Sequence, residues 1–180
     1  MRTLYIDLGS NSGDTIAAEL APSRVDHCWG FEPNPDLAAS LRARFWDAPV
    51  EIIEAAAWTQ DGSRPLYLGH PLSATLLSGK VALPDYPQFA IAYDRSVDVK
   101  TIDIVKWLGE HIEPDDMVTL KMDIEGAEYQ VLPALLESAM IDRIAELRCE
   151  FHPERFPLAS KNHSDLVDAL QARTHLVLWR

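Results

Sequence analysis

The stretch Met117 to Leu132 reads MVTLKMDIEGAEYQVL and limits the fold more than any other part of the chain. Its first half is an apolar run of strand length, with Met117, Val118, Leu120, Met122 and Ile124. Its second half opens a helix at Gly126–Ala127. Lys121 and Asp123 interrupt the apolar run two residues apart, so a strand would point both to one side. Glu125 and Glu128 follow on the turn and the first helical residues, where acids suit a helix N-terminus. Three acids and a lysine at the carboxyl end of a strand, beside a helix start, stand where open α/β sheets place ligands. A solvated turn whose charges only cap and solubilise would need the same residue types, so this stretch alone leaves both readings open.

The rest of the chain repeats the alternation. Thr3 to Leu8 is strand-like and runs into GSNSGD, then a helical pattern from Thr15 to Leu20. Strand, glycine loop and helix form the nucleotide-binding opening of a doubly wound sheet, although the spacing Gly9–x–x–x–Gly13 is not the G-x-G-x-x-G of dinucleotide sites. His27 to Phe31 is a second strand ending in Glu32-Pro33-Asn34-Pro35. An acid there, 25 residues after Asp7, is placed to bind ribose hydroxyls. Leu37, Leu41 and Phe45 mark the apolar stripe of a helix from Asp36 to Phe45. Val50 to Trp58 reads as a third strand, Gln60 to Ser63 as a hairpin turn and Pro65 to Leu68 as its return. Ala55, Ala56 and Ala57 suit either the floor under a flat ring or ordinary core packing.

The segment from about 70 to 95, with Pro71, Pro84 and Pro87, lacks periodicity. Loops of that length are commonly lids or mobile segments, and a cap with Tyr86, Phe89 and Tyr93 as walls is expected, with a disordered connector as the alternative. Ser96 to Lys100 is a short strand, and Thr101 caps a helix from Ile102 to His111. Pro133 predicts a kink or restart in the helix after the central motif. Arg143 to Phe151 is a fifth strand, with Glu150 and His152 on one side, followed by a helix from Ser164 to Ala172 and a strand from His175 to Trp179. The expectation is one α/β domain over residues 1–180, with a doubly wound, mostly parallel sheet.

Charge narrows the partners. Sixteen basic against 28 acidic residues give a formal charge of −12, which argues against nucleic acid. The apolar runs are too short and interrupted for a membrane span or signal peptide. Cys28 and Cys149 fall in strands and read as reduced core residues. A cytoplasmic protein is expected.

Taken together, Asp7-Leu-Gly-Ser-Asn11-Ser-Gly13, Phe31-Glu-Pro-Asn-Pro35, Lys121-Met-Asp-Ile-Glu-Gly-Ala-Glu128 and Glu150-Phe-His152 resemble, in order and spacing, the FkbM family of S-adenosylmethionine-dependent methyltransferases. The resemblance covers about residues 3 to 152, and its last motif is the specific one. It implies a Rossmann-like class I methyltransferase fold and methyl transfer to a hydroxyl of a sugar or small natural-product-like acceptor. Asp7, Gly9, Ser10, Asn11 and Gly13 correspond to the donor loop, Glu32 with Pro33 and Asn34 to the ribose site, and Ala55 and Ala56 to the adenine edge. Asp123 corresponds to the residue facing both methyl group and acceptor, and Lys121, Glu125, Glu150 and His152 to further motif positions. S-adenosylhomocysteine would be the product.

Two departures stand out. The family usually has sequence before its first strand, and class I members end in an antiparallel strand pair, so a minimal sheet with an exposed edge is expected, which would favour a homodimer. For the reaction, His152 is the first choice as general base, oriented by Glu150, and Asp123 the second. A divalent metal held by Asp123, Glu150 and His152 is an alternative. The competing functions are a cofactor-binding interaction module without turnover and an NAD-dependent oxidoreductase, the latter disfavoured by its missing glycine pattern.

Overall fold

A computed structural model describes residues 1–21, 24–70, 72–85 and 87–179. Tyr86, expected in a cap wall, and Pro71 lie outside the described residues. Six parallel strands form the main sheet: β1 (Thr3–Leu8), β2 (His27–Phe31), β3 (Val50–Ile53), β7 (Met117–Met122), β8 (Glu146–Cys149) and β9 (His175–Leu178). Their order is β3-β2-β1-β7-β8-β9. The order reverses between β1 and β7, and a crevice opens outside the strand ends at such a reversal.

Both faces are covered, which explains the near-continuous apolar strands. Leu4, Ile6 and Leu8 of β1 join Val118, Leu120 and Met122 of β7 in a core under α3 (Ile104–His111), α4 (Glu128–Glu137) and α5 (His163–Gln171). Tyr5 and Cys28 point to the other face and pack with Ile16 of α1 (Asp14–Leu20) and Leu41 of α2 (Pro35–Arg44). The Asn34 side chain accepts the backbone N–H of Asp36 at 3.0 Å, and Pro35 fills the first helical position of α2, where its missing N–H costs nothing. No helix among the described residues is long and apolar enough to cross a membrane.

The middle of the chain departs from the sequence expectation. Val50 to Trp58 is not one strand. The Ala55 N–H bonds back to the Ile53 carbonyl at 2.9 Å, and this tight turn sends β4 (Ala56–Trp58) out of the main sheet. There β4 pairs with β6 (Ile91–Asp103), which pairs on its other side with β5 (Gly62–Gly69). The expected hairpin return therefore pairs with β6, not with β4. The brief strand expected at Ser96 to Lys100 extends from Ile91 to Asp103 and absorbs Thr101. Asp103, not Thr101, caps α3, accepting the Lys106 N–H at 3.1 Å. The fifth strand is shorter than expected, and a 3₁₀ turn takes up Met140–Arg143. α4 runs through Pro133 without a restart. One ladder bond is lost there, and the burial of Tyr129, Val131, Leu132 and Leu135 on that helix outweighs it.

Candidate functional site

A cavity of about 590 Å³ lies at the carboxyl ends of β1, β2 and β7, at the reversal of strand order. Its size suits a nucleoside-sized ligand together with a small second molecule. Gly9 to Ser12 line it after β1, Glu32 to Asn34 after β2, Ala55 to Ala57 beside the turn into β4, Asp123 to Glu125 after β7, and Glu150 and His152 after β8. Leu72 to Leu76, Leu83 and Phe89 close it from the irregular segment after β5, the expected cap. Tyr93 is not a wall; it belongs to β6, meets Tyr67 edge to face and accepts the Lys80 N–H at 2.6 Å.

The glycine loop is shaped by close approach. Gly9 has φ +86°, and a Cβ there would sit 2.0 Å from the Asp123 carbonyl oxygen, so only glycine lets the loops after β1 and β7 touch. Asn11 and Glu125 also take positive φ, at 48° and 53°. Left-handed non-glycine residues on two facing loops are held by their surroundings. The Asn11 N–H donates to Glu32, and the Glu125 carbonyl accepts the Thr75 hydroxyl at 2.7 Å.

Glu32 is fixed from both sides. One carboxylate oxygen accepts the Asn11 N–H and the other the Asn34 N–H, each at 2.8 Å. Burial pushes its pKa up while these bonds pull it down. Each oxygen has one lone pair left over and the residue lines the cavity, so the carboxylate has the capacity to accept from two vicinal hydroxyls. Asp7 and Gly13, expected in the cofactor set, do not reach the cavity wall. Asp7 is fully buried beneath the loop, bonded to the Thr15 hydroxyl and 3.0 Å from the Lys121 ammonium. Gly13 caps α1 in a left-handed conformation. Lys121, expected to be catalytic, lines the cavity and donates to the Gly9 carbonyl at 2.7 Å, which braces the glycine loop.

His152 sits in a ring of four carboxylates. Glu128 lies 3.4 Å from Nδ1, and Glu125, Asp123 and Glu150 lie 3.5, 3.7 and 3.8 Å from Nε2. Glu150, expected to orient the imidazole, is thus the most distant, and fully buried Glu128 is the nearest. Glu128 also accepts the N–H groups of Ile124 at 2.8 Å and Gly126 at 2.7 Å, which closes the motif's turn. Burial works to lower the His152 pKa, but the Glu128 carboxylate 3.4 Å from Nδ1 and the charges of Glu125 and Asp123 overcome it and raise the value to about 9. Burial raises Asp123 to about 7, against the pull of Lys121 and His152. These shifts favour a cationic imidazole at neutral pH and bring the Asp123 carboxyl close to its own titration there, the opposite of the order expected for the base.

Asp123, Glu128 and His152 place ligand atoms within 4.8 Å of one another; the expected metal set had Glu150 in the place of Glu128. Both Glu128 oxygens already hold backbone N–H groups, which fits a brace better than a metal ligand. Two cationic residues absent from the sequence reading complete the site. The side chain of Lys80 is fully buried and bonds Glu125 at 2.5 Å and the Ser73 carbonyl at 2.9 Å. Arg155 is buried on the cavity wall and holds the cap through the carbonyls of Val81 and Phe89. No spacing in the sequence signals either.

A family model for the methyltransferase FkbM domain matches residues 7–176. No curated protein matches the chain. Among solved structures, the chain is similar to a crystal structure of methyltransferase FkbM from Methylobacillus flagellatus KT, with a TM-score of 0.56 at 15% identity. The match covers 96% of this chain and 37% of that one, so the chain spans little more than a third of that protein's length. At this identity the likeness shows the fold, a mostly parallel sheet flanked by helices.

Proposed function

The chain belongs to the FkbM methyltransferase family, and from that premise we propose that it transfers the methyl group of S-adenosylmethionine to a hydroxyl oxygen of a small, polyhydroxylated acceptor. The observation that carries the donor assignment is Glu32, whose two oxygens are pinned by backbone N–H groups at the end of β2 and face the cavity. The ribose hydroxyls donate to Glu32. Adenine lies against Ala55 to Ala57 and Leu37, and the methionine end lies along Gly9 to Ser12, all of which line the cavity.

In the transfer, an acceptor oxygen attacks the methyl carbon, the new O–CH₃ bond forms as the S–CH₃ bond breaks, and S-adenosylhomocysteine leaves. The hydroxyl proton passes to Asp123, the carboxylate whose pKa of about 7 lies near working pH. Imidazolium His152, 3.7 Å from Asp123, keeps that carboxylate ionised enough to accept the proton. Acid–base help of this kind contributes roughly 10²–10⁴-fold, and holding donor and acceptor in line contributes the larger share. The acids around the sulfonium help binding, but they speed the transfer only as far as they favour the transition state over the bound donor.

Calorimetric titration tests the donor. S-adenosylmethionine is expected to bind and NAD not to, with Glu32→Ala weakening the donor by roughly tenfold or more through loss of charge-assisted hydrogen bonds. Absence of heat with S-adenosylmethionine, or an unchanged affinity in Glu32→Ala, overturns the reading.

A further inference from the structure

Three lysine or arginine side chains are buried among the described residues: Lys80, Lys121 and Arg155. The first two have carboxylate partners, Glu125 at 2.5 Å and Asp7 at 3.0 Å. Arg155, only 6% exposed, has no carboxylate within 4.0 Å among the described residues. Its Nε donates to the Val81 carbonyl at 2.8 Å and its Nη2 to the Phe89 carbonyl at 3.0 Å. Those carbonyls supply dipoles but no countercharge, and Nη1 makes no hydrogen bond among the described residues. A guanidinium stays charged at any working pH, and a buried charge without a partner is costly. The side chain lines the cavity, where a bound anion would be that partner.

We propose that Arg155 anchors an oxyanion on the methyl acceptor, so that the acceptor is a hydroxylated acid, a sugar acid or sugar phosphate in type, rather than a neutral sugar. This rests on the reading of the cavity as a methyl-transfer site. The Arg155 N–H bonds to the His152 carbonyl at 3.1 Å, so the anchor belongs to the same turn as the imidazole that faces Asp123. An acid held by the free edge of the guanidinium, with Nη1 and the remaining Nη2 proton, is gripped in a two-point fork. A hydroxyl elsewhere on the same small molecule is left to meet Asp123. The surrounding acids set the charge. Glu150 and Glu154 also line the cavity, and a single guanidinium balances one negative charge among them. A carboxylate carries one charge and a phosphate monoester nearly two, so the carboxylate suits the site better.

The experiment uses the full chain with the donor site filled by S-adenosylhomocysteine, which cannot react. D-glucuronate, D-glucose and glucose 6-phosphate are titrated as probes and followed by ligand-observed NMR. Glucuronate is expected to bind roughly tenfold or more tightly than glucose, and glucose 6-phosphate in between. In Arg155→Met the ratio of glucuronate to glucose affinity falls to about one. Because Arg155 also holds the cap, loss of cap structure would weaken all three probes alike, and only the anion anchor changes the ratio. Arg155→Lys, which keeps the charge and loses the fork, is expected to show an intermediate ratio with the donor still bound. Equal affinity for the three probes, absence of binding by all three, or an unchanged ratio in the variants overturns the proposal. A preference for glucose 6-phosphate over glucuronate keeps the anchor and overturns the carboxylate. Failure of the wild-type chain to bind S-adenosylhomocysteine counts against the methyl-transfer reading instead.

Discussion

Replacing Asp123 with asparagine should stabilise the protein at pH 8 and do so by only about a third as much at pH 5. Burial raises the Asp123 pKa from 3.8 to about 7 in the folded chain. Below pH 4 the carboxyl is protonated in both states and contributes nothing. Between 4 and 7 the unfolded chain gains by ionising while the folded chain does not, so stability falls as pH rises through this window, and above 7 the full cost is present. The difference of about three pKa units corresponds to roughly 4 kcal/mol. The side chain is 26% exposed and coupled to His152, so about 2 kcal/mol is the better expectation after solvent screening. Asparagine keeps the shape and removes the charge. The gain appears as about 4–8 °C in Tm at pH 8 for a chain of this size, read by thermal unfolding at both pH values, together with loss of methyl transfer. A destabilised variant at pH 8, or the same gain at pH 5 as at pH 8, would refute the argument that Asp123 is ionised at the expense of stability.

Three further substitutions test the brace under the glycine loop and the contact it makes with the loop after β7. Lys121→Met leaves Asp7 buried without its cation and should cost about 3 kcal/mol or more in urea unfolding. Adding Asp7→Asn should restore much of that loss, and simple additivity of the two changes would sink the ion-pair account. Gly9→Ala puts a methyl group 2.0 Å from the Asp123 carbonyl at a φ of +86°. It should lower Tm and weaken S-adenosylmethionine by more than roughly tenfold; normal donor affinity in that variant would show that the two loops need not touch.

What could be read from the sequence was local. Glu32 and Asp123 were identifiable because a strand end, the loop after it and the next helix are contiguous, and the sheet then carries them to one crevice. The split of Val50 to Trp58 into two sheets was not, because it turns on one backbone bond between Ala55 and Ile53 in an apolar run that reads the same either way. Lys80 and Arg155 were hidden for a different reason. Lys80 meets Glu125 across 45 residues and Arg155 meets Val81 across 74, and no periodicity encodes such pairings. The protonation of the site was the least legible of all. An isolated histidine titrates near neutrality, so His152 reads as the natural base. Folding gathers Asp123 and Glu125 from the loop after β7, Glu128 from the start of α4 and Glu150 from the loop after β8 around it, and the sum of those fields outweighs burial and favours the imidazole as a cation. Burial with a weaker net field leaves Asp123 near neutrality. In the proposed reaction, the choice of Asp123 over His152 as proton acceptor thus rests on how many carboxylates converge on each group, which the order of residues along the chain does not record.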